Sequence, residues 1–130
     1  MIHPNETAIR SLYTAFATGD MVVVHDLLAE DVTWHTPGTA QQAGIRRGKN
    51  ELFATMGRLA ELTGGTLRSD VVDVLANDER AVVIQQTRAE RTDRPPLVDR
   101  EVLVFQLRDG RVVEVWEHPG DLRAMDAFFA

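Results

Sequence analysis

The chain has 130 residues, 44% of them apolar and 26% charged, the composition of one ordinary globular domain expected to span residues 1–130. Its formal net charge is −6 at pH 7 and it has no basic run, which argues against nucleic acid and against an anionic membrane as partners. It has no cysteine, hence no disulfide, no thiolate metal site and no cysteine nucleophile. No window approaches the roughly 18 apolar residues of a membrane span, and the opening residues carry no apolar signal core, so a cytoplasmic location is the expectation.

In chain order, Asn5 is placed to cap a helix with Glu6 in its first turn and Ile9, Leu12, Tyr13, Phe16 and Ala17 along one face. Gly19 ends it. Asp20 caps a shorter helix that turns Met21, Val24, Leu27 and Leu28 inward. Asp31 to His35 reads as a short strand closed by Pro37-Gly38, and Thr39 to Gly48 as irregular. Asn50 is expected to cap a third helix with Leu52, Phe53, Met56, Leu59 and Ala60 on its core face, closed by Gly64-Gly65.

Strands follow: Leu67 to Leu75, a turn at Asn77 to Glu79, Ala81 to Glu90, and a polar loop with Pro95-Pro96. The last hairpin carries the strongest local signal, Glu101 to Leu107 and Val112 to Glu117 around Asp109-Gly110. Asp121 is placed to cap a final amphipathic turn or two with Leu122, Met125, Phe128 and Phe129 inward. Helices grouped apart from hairpin-linked strands predict an α+β fold. A strongly curved, mostly antiparallel sheet would wrap around the three N-terminal helices, with a short C-terminal helix, leaving a cone whose mouth can hold a small apolar molecule.

The chemistry-bearing residues gather at strand ends. His35 stands before the Pro-Gly turn and can take or give a proton near neutrality. Alternation puts Trp34 on the face opposite to it. On the last strand Glu114, Trp116 and His118 share one face, and Val113, Val115 and Glu117 share the other. The valines argue that the second set faces the core, where desolvation would raise the pKa of Glu117. Trp116 would then be a contact between two copies, and His118 could bend back into the mouth at the Pro-Gly turn. Asp121 is read both as an N-cap and as an acid. Glu101 and Arg88 could bind a carbonyl or activate water inside the cone, or form a cross-strand pair in solvent. The four histidines show no ligand spacing, the glycines match no phosphate or dinucleotide loop, and no metal site is expected.

Three stretches carry a resemblance: Gly19-Asp20 with Leu27 to Trp34, Gly44 to Gly48, and Phe105 to Trp116. Together they resemble the NTF2-like proteins, and most closely their SnoaL-like and ketosteroid-isomerase-like subgroup. The resemblance implies an α+β cone, a homodimer through the outer sheet face, a pocket between sheet and helices, and no cofactor. It implies further that His35 occupies the place of the isomerases' base, and that Asp121 stands one residue beyond the acid following the cyclases' last-strand Trp. The isomerases' helix-one tyrosine falls at Leu12, beside Tyr13, and their oxyanion acid at Val102 or Leu103.

The expected catalytic residues are therefore His35, Glu117 and Asp121. Tyr13, Trp34, Phe53, Met56, Arg88, Glu101, Val115, Trp116 and His118 are expected to bind the ligand. The expected function is cofactor-independent acid–base chemistry of isomerase, cyclase or hydratase type on a carbonyl- or epoxide-bearing molecule. The alternative is a non-catalytic binder or dimeric accessory domain.

Overall fold

A computed structural model describes all residues from Met1 to Ala130. Helix α1 runs Pro4–Thr18, α2 Met21–Leu27, α3 Gly48–Leu62 and α4 Leu122–Phe129. The strands are β1 Leu28–Thr36, β2 Gly44–Arg47, β3 Arg68–Ala76, β4 Arg80–Arg91, β5 Arg94–Arg108 and β6 Arg111–His118. They form one open six-stranded sheet in the order β2-β1-β6-β5-β4-β3. Only β1 and β6 run parallel. The result is the α+β cone, with the helices inside the curve of the sheet.

Local chemistry moves several boundaries. Pro4 is at the first helical position, where its missing N–H costs nothing, so α1 starts before Asn5. The cap is His3, whose Nδ1 accepts from the Asn5 backbone N–H at 3.0 Å. The Asn5 side chain instead donates to the carbonyls of Asn77 (2.9 Å) and Asp78 (3.2 Å), pinning α1 to the β3–β4 turn. Gly19 ends α1 at φ 74°, in the left-handed region, and Asp20 caps α2 through the Val23 N–H. Met21, expected inward, is exposed, since this short seven-residue helix buries only Val24.

β1 begins at Leu28, earlier than its polar residues suggest, because β6 supplies a parallel partner from Val112 onward. The stretch read as irregular contains β2, an edge strand pairing Gly44–Arg47 with Thr33–Thr36. α3 starts at Gly48 rather than after Asn50, with Glu51 accepting from the Arg47 backbone N–H at 3.2 Å. Pro95 and Pro96 lie inside β5 rather than in a loop. β6 reaches only as far as Val102, so that end of β5 has a neighbour on one side alone and tolerates residues without an N–H. The Asp109-Gly110 turn has φ 53° and 75°, the two positive values of a tight hairpin.

The main core joins Ile9, Leu12, Val24, Val32, Leu52, Val83, Phe105 and Val115. A second cluster places Met125, Phe128 and Phe129 of α4 against Ala89 and Leu97. Arg91 and Arg94 donate to the last carbonyls of α4, both reaching Phe128 O, at 2.8 and 2.9 Å. No helix of the chain is long and apolar enough to cross a membrane.

Candidate functional site

The inner face of the sheet is set by pairing. Phe105 is fully buried, and β4 lies opposite it with Ala81, so Val83 faces Leu103 and Gln85 faces Glu101 on the same side. Arg88 has the opposite parity. It lies exposed on the outer face beside Val98 and takes no part in the inner site. The two strand faces are both apolar in sequence, so only the register decides between them.

A bulge between Gln106 and Leu107 shifts β6 so that Val112, not Val113, faces the core, followed by Val115 and Glu117. β1 pairs Trp34 with Val115 and His35 with Trp116. Trp34 is therefore inside and His35 outside. The His35 ring stacks on Trp116 with centroids 5.4 Å apart and planes 3° from parallel, and its Nε2 lies 2.6 Å from Glu114 Oε2. His35 and Trp116 are thus removed from the pocket as expected residues, and His118 is exposed beyond the end of β6.

Between sheet and helices lies a cavity of about 780 Å³. Leu12, Phe16, Met56, Leu59, Leu103 and Phe129 give it apolar walls. Exposed Arg68, Ser69 and Asp70 are on its rim. Tyr13, Trp34, Met56, Glu101 and Glu117 line it, among the residues singled out from sequence. Phe53 does not, because its ring packs against His25, 4.7 Å between centroids. Val115 is fully buried in the core behind the wall. Asp121 caps α4 through the Ala124 N–H at 3.0 Å and stays exposed.

The polar floor is built from two carboxyls. Glu117 Oε1 accepts from Trp34 Nε1 at 2.6 Å and from the Thr36 hydroxyl at 3.2 Å. Glu101 Oε2 accepts from the Thr87 hydroxyl at 2.5 Å and from Gln85 Nε2 at 3.3 Å. Both carboxyls line the cavity, and the charge of Glu101 bears on Glu117. With both ionised, the buried Glu101 Oε1 would have no partner. Burial first, then the charge of Glu101, pushes Glu117 up to about 8. Burial likewise pushes Glu101 above the usual carboxylate range, against the Thr87 hydrogen bond.

Tyr13 is held neutral by its own burial and by both glutamates, and it donates to Gln85 Oε1 at 2.6 Å. Gln85 thus links the helix-one tyrosine to Glu101 through one amide. Sequence reading passed over Gln85, Thr87, Thr36 and Gln42. The signal for the first two was two polar residues on the same parity as Ala81, Val83 and Ala89. Nowhere do three or more His, Asp or Glu side chains gather as a metal would need.

The model of the SnoaL-like domain matches residues 9–115. The chain belongs to the SnoaL-like family. It is 31% identical over 123 residues to the uncharacterized protein Rv0034 of Mycobacterium tuberculosis, covering 94% of this chain and 93% of that one. It is also similar to Bal32a, from a soil-derived mobile gene cassette, at 37% identity and TM-score 0.92, over 98% and 97% of the two chains. An NTF2-like protein of unknown function from Burkholderia pseudomallei shares the fold at 23% identity and TM-score 0.87, over 99% of both chains. In this SnoaL-like chain, Glu117 and α4 lie just past the matched residues, so the site is completed by a segment that the family model does not cover.

Proposed function

We propose that this SnoaL-like chain is an acid–base catalyst of isomerase or cyclase type. It would move a proton within a small, largely apolar molecule seated in the cone. What supports the reading is that Glu101 and Glu117 both line one apolar cavity, where we read them as sharing one proton, because burial and the charge of Glu101 push Glu117 up to about 8 and Glu101 Oε1 is buried without a partner. Environments that hold one carboxyl protonated beside an ionised one separate acid from base at neutral pH.

Glu117 is the acid and Glu101 the base. Glu117 gives its proton to a carbonyl or epoxide oxygen. Glu101 takes one from the neighbouring carbon, from a hydroxyl or from water, and the pair ends with its single proton on the other member. For a ketone this breaks one C–H bond and makes one O–H bond, giving the enol. Returning the proton from Glu101 to a different carbon, while Glu117 takes back the enol O–H proton, completes an isomerisation with no net change in protons. Trp34, Thr36, Thr87 and Gln85 hold the carboxyls in place, which is where proximity gains its rate.

The test is deuterium incorporation at the α-carbons of 2-tetralone in D₂O, followed by NMR. Exchange above the buffer rate, lost in Glu117→Gln, supports the proposal. Saturable binding of the ketone with exchange at the buffer rate would instead favour a non-catalytic binder.

The outer sheet face is proposed as the contact between two copies. Trp116, Val102, Val104 and Ile84 are only half-buried there. Sedimentation at micromolar concentration showing a monomer would remove that assignment.

A further inference from the structure

Strand register puts one cation on the inner face. Arg46 of β2 pairs with Trp34, so its side chain leaves the sheet on the cavity side, where it is half-buried and lines the wall. Its Nε donates to the Thr55 hydroxyl of α3, and its Nη2 to the carbonyls of Ala43 (2.9 Å) and Gln41 (3.4 Å). Nη1 engages no acceptor. It lies over Gly44, where φ is 129° and a Cβ would fall on the guanidinium. Thr55 also lines the cavity. Its oxygen accepts from Arg46, and its own hydrogen donates to no group of the chain. Two free donors, one of them cationic, therefore stand together in the same wall.

Arg46 forms no ion pair with any carboxylate of the chain. A guanidinium keeps its charge, and a partly desolvated charge is ordinarily paired. Asp126, which anchors the neighbouring loop, is engaged by Thr39, Ala40 and Gln42. Asp70 and Arg68 stand on β3, at the opposite edge of the sheet from β2. Glu117 is nearer. Gly44, under the guanidinium, pairs with Thr36, and the Thr36 hydroxyl donates to Glu117. β2 and β6 are two strands apart with β1 between them, which is about 10 Å at the usual strand spacing. That interval suits an apolar skeleton of two fused rings, with an anion at one end and a reacting group at the other. It also keeps the anion clear of direct repulsion by the glutamates.

We infer that the cavity selects an apolar keto acid, whose carboxylate is held by Arg46 Nη1 and the Thr55 hydroxyl while its ketone reaches Glu117. The inference rests on the proposed acid–base reading for the ketone end alone. The carboxylate end concerns equilibrium binding and needs no turnover.

The experiment titrates the full chain calorimetrically with 6-carboxy-2-tetralone and with its methyl ester, which share the skeleton and the ketone and differ in charge. Wild type should bind the acid about tenfold more tightly at low salt, the scale of charge-assisted hydrogen bonds, and the ratio should narrow as salt is raised. Arg46→Gln should bring the ratio to about one. Arg46→Lys, which keeps the charge and loses the fork, should retain part of it. Thr55→Val, nearly isosteric, should lower the ratio while disturbing the loop least, and melting temperatures check that each variant is folded. Arg68→Gln should leave the ratio as it is. An unchanged ratio in Arg46→Gln would overturn the inference, as would a ratio lost in Arg68→Gln instead, which moves the anion to the far rim. If Arg46→Gln does not fold, an unchanged ratio in Thr55→Val overturns it alone. Wild type binding acid and ester alike, or neither at millimolar concentration, would equally overturn it. Acid preference without deuterium exchange on 2-tetralone would remove the acid–base reading and leave the carboxylate subsite standing; exchange without acid preference would do the reverse.

Discussion

The indole N–H of Trp34 donates to Glu117 Oε1 at 2.6 Å, across two strands that lie side by side but 83 residues apart in the chain. Trp34 is 8% exposed, and its ring meets Phe105 edge-on at 6.0 Å, so the donor is fixed by core packing rather than by the bond itself. A rigid donor aimed at a desolvated carboxyl restrains how far burial can raise its pKa.

Trp34→Phe keeps most of the packing and removes the donor. The pKa of Glu117 should rise further, because the lost bond favoured the charged form. Stability should fall by about 1–2 kcal/mol, measured by urea unfolding at neutral pH.

Folding stability should depend on pH through Glu117. Its folded pKa of about 8 stands above the ordinary value of 4.5 kept in the unfolded chain, so the folded state binds the proton more tightly. The contribution of this group is fully present below about 4.5, declines as pH rises, and is lost above about 8. Glu117→Gln should remove that decline and exceed wild type in stability at pH 8–9 by on the order of a few kcal/mol. Thermal melts of both proteins across pH 4–9 check it.

Catalysis and the outer face should separate cleanly. Glu117→Gln should slow exchange on 2-tetralone by about 10²- to 10⁴-fold, the usual scale for a placed acid or base. His35→Ala should leave that rate unchanged, since the ring stacks on Trp116 outside the cavity, and should weaken association between copies. Exchange assays and sedimentation on the two variants distinguish these roles.

Asp126→Ala should release the loop from Gly38 to Gln42 from α4. Four hydrogen bonds converge on this one side chain. The melting temperature should drop. Amide exchange of Thr39 and Ala40 should accelerate, with β4 and β5 unaffected.

Much of this architecture was legible in local patterns. Gly19 and Asp20 marked the break between the first helices, and the Asp-Gly pair marked the hairpin, because each has a backbone requirement that few other residues meet. Of the valines used to orient the last strand, Val115 faces the core together with Glu117, whereas a bulge turns Val113 away from it. The first strand gave no such guide. Trp34 and His35 are both plausible inner residues, and only pairing with Val115 and Trp116 across a chain-distant parallel contact chooses between them. Arg88 misled in the same way, on a strand apolar on both faces whose parity is set by its register with β5. Gln42 carried no local signal, since its importance comes from Asp126, 84 residues away.

The most direct test of the central claim is a ¹³C NMR titration of the full chain with labelled glutamate side-chain carboxyls, assigned with Glu117→Gln and Glu101→Gln. One carboxyl should titrate near pH 8, and its signal should vanish in Glu117→Gln. In that variant the Glu101 titration should move, since each group feels the other's proton. If every glutamate titrates in the ordinary range near 4–5, no proton is shared between Glu101 and Glu117, and the acid–base account is contradicted.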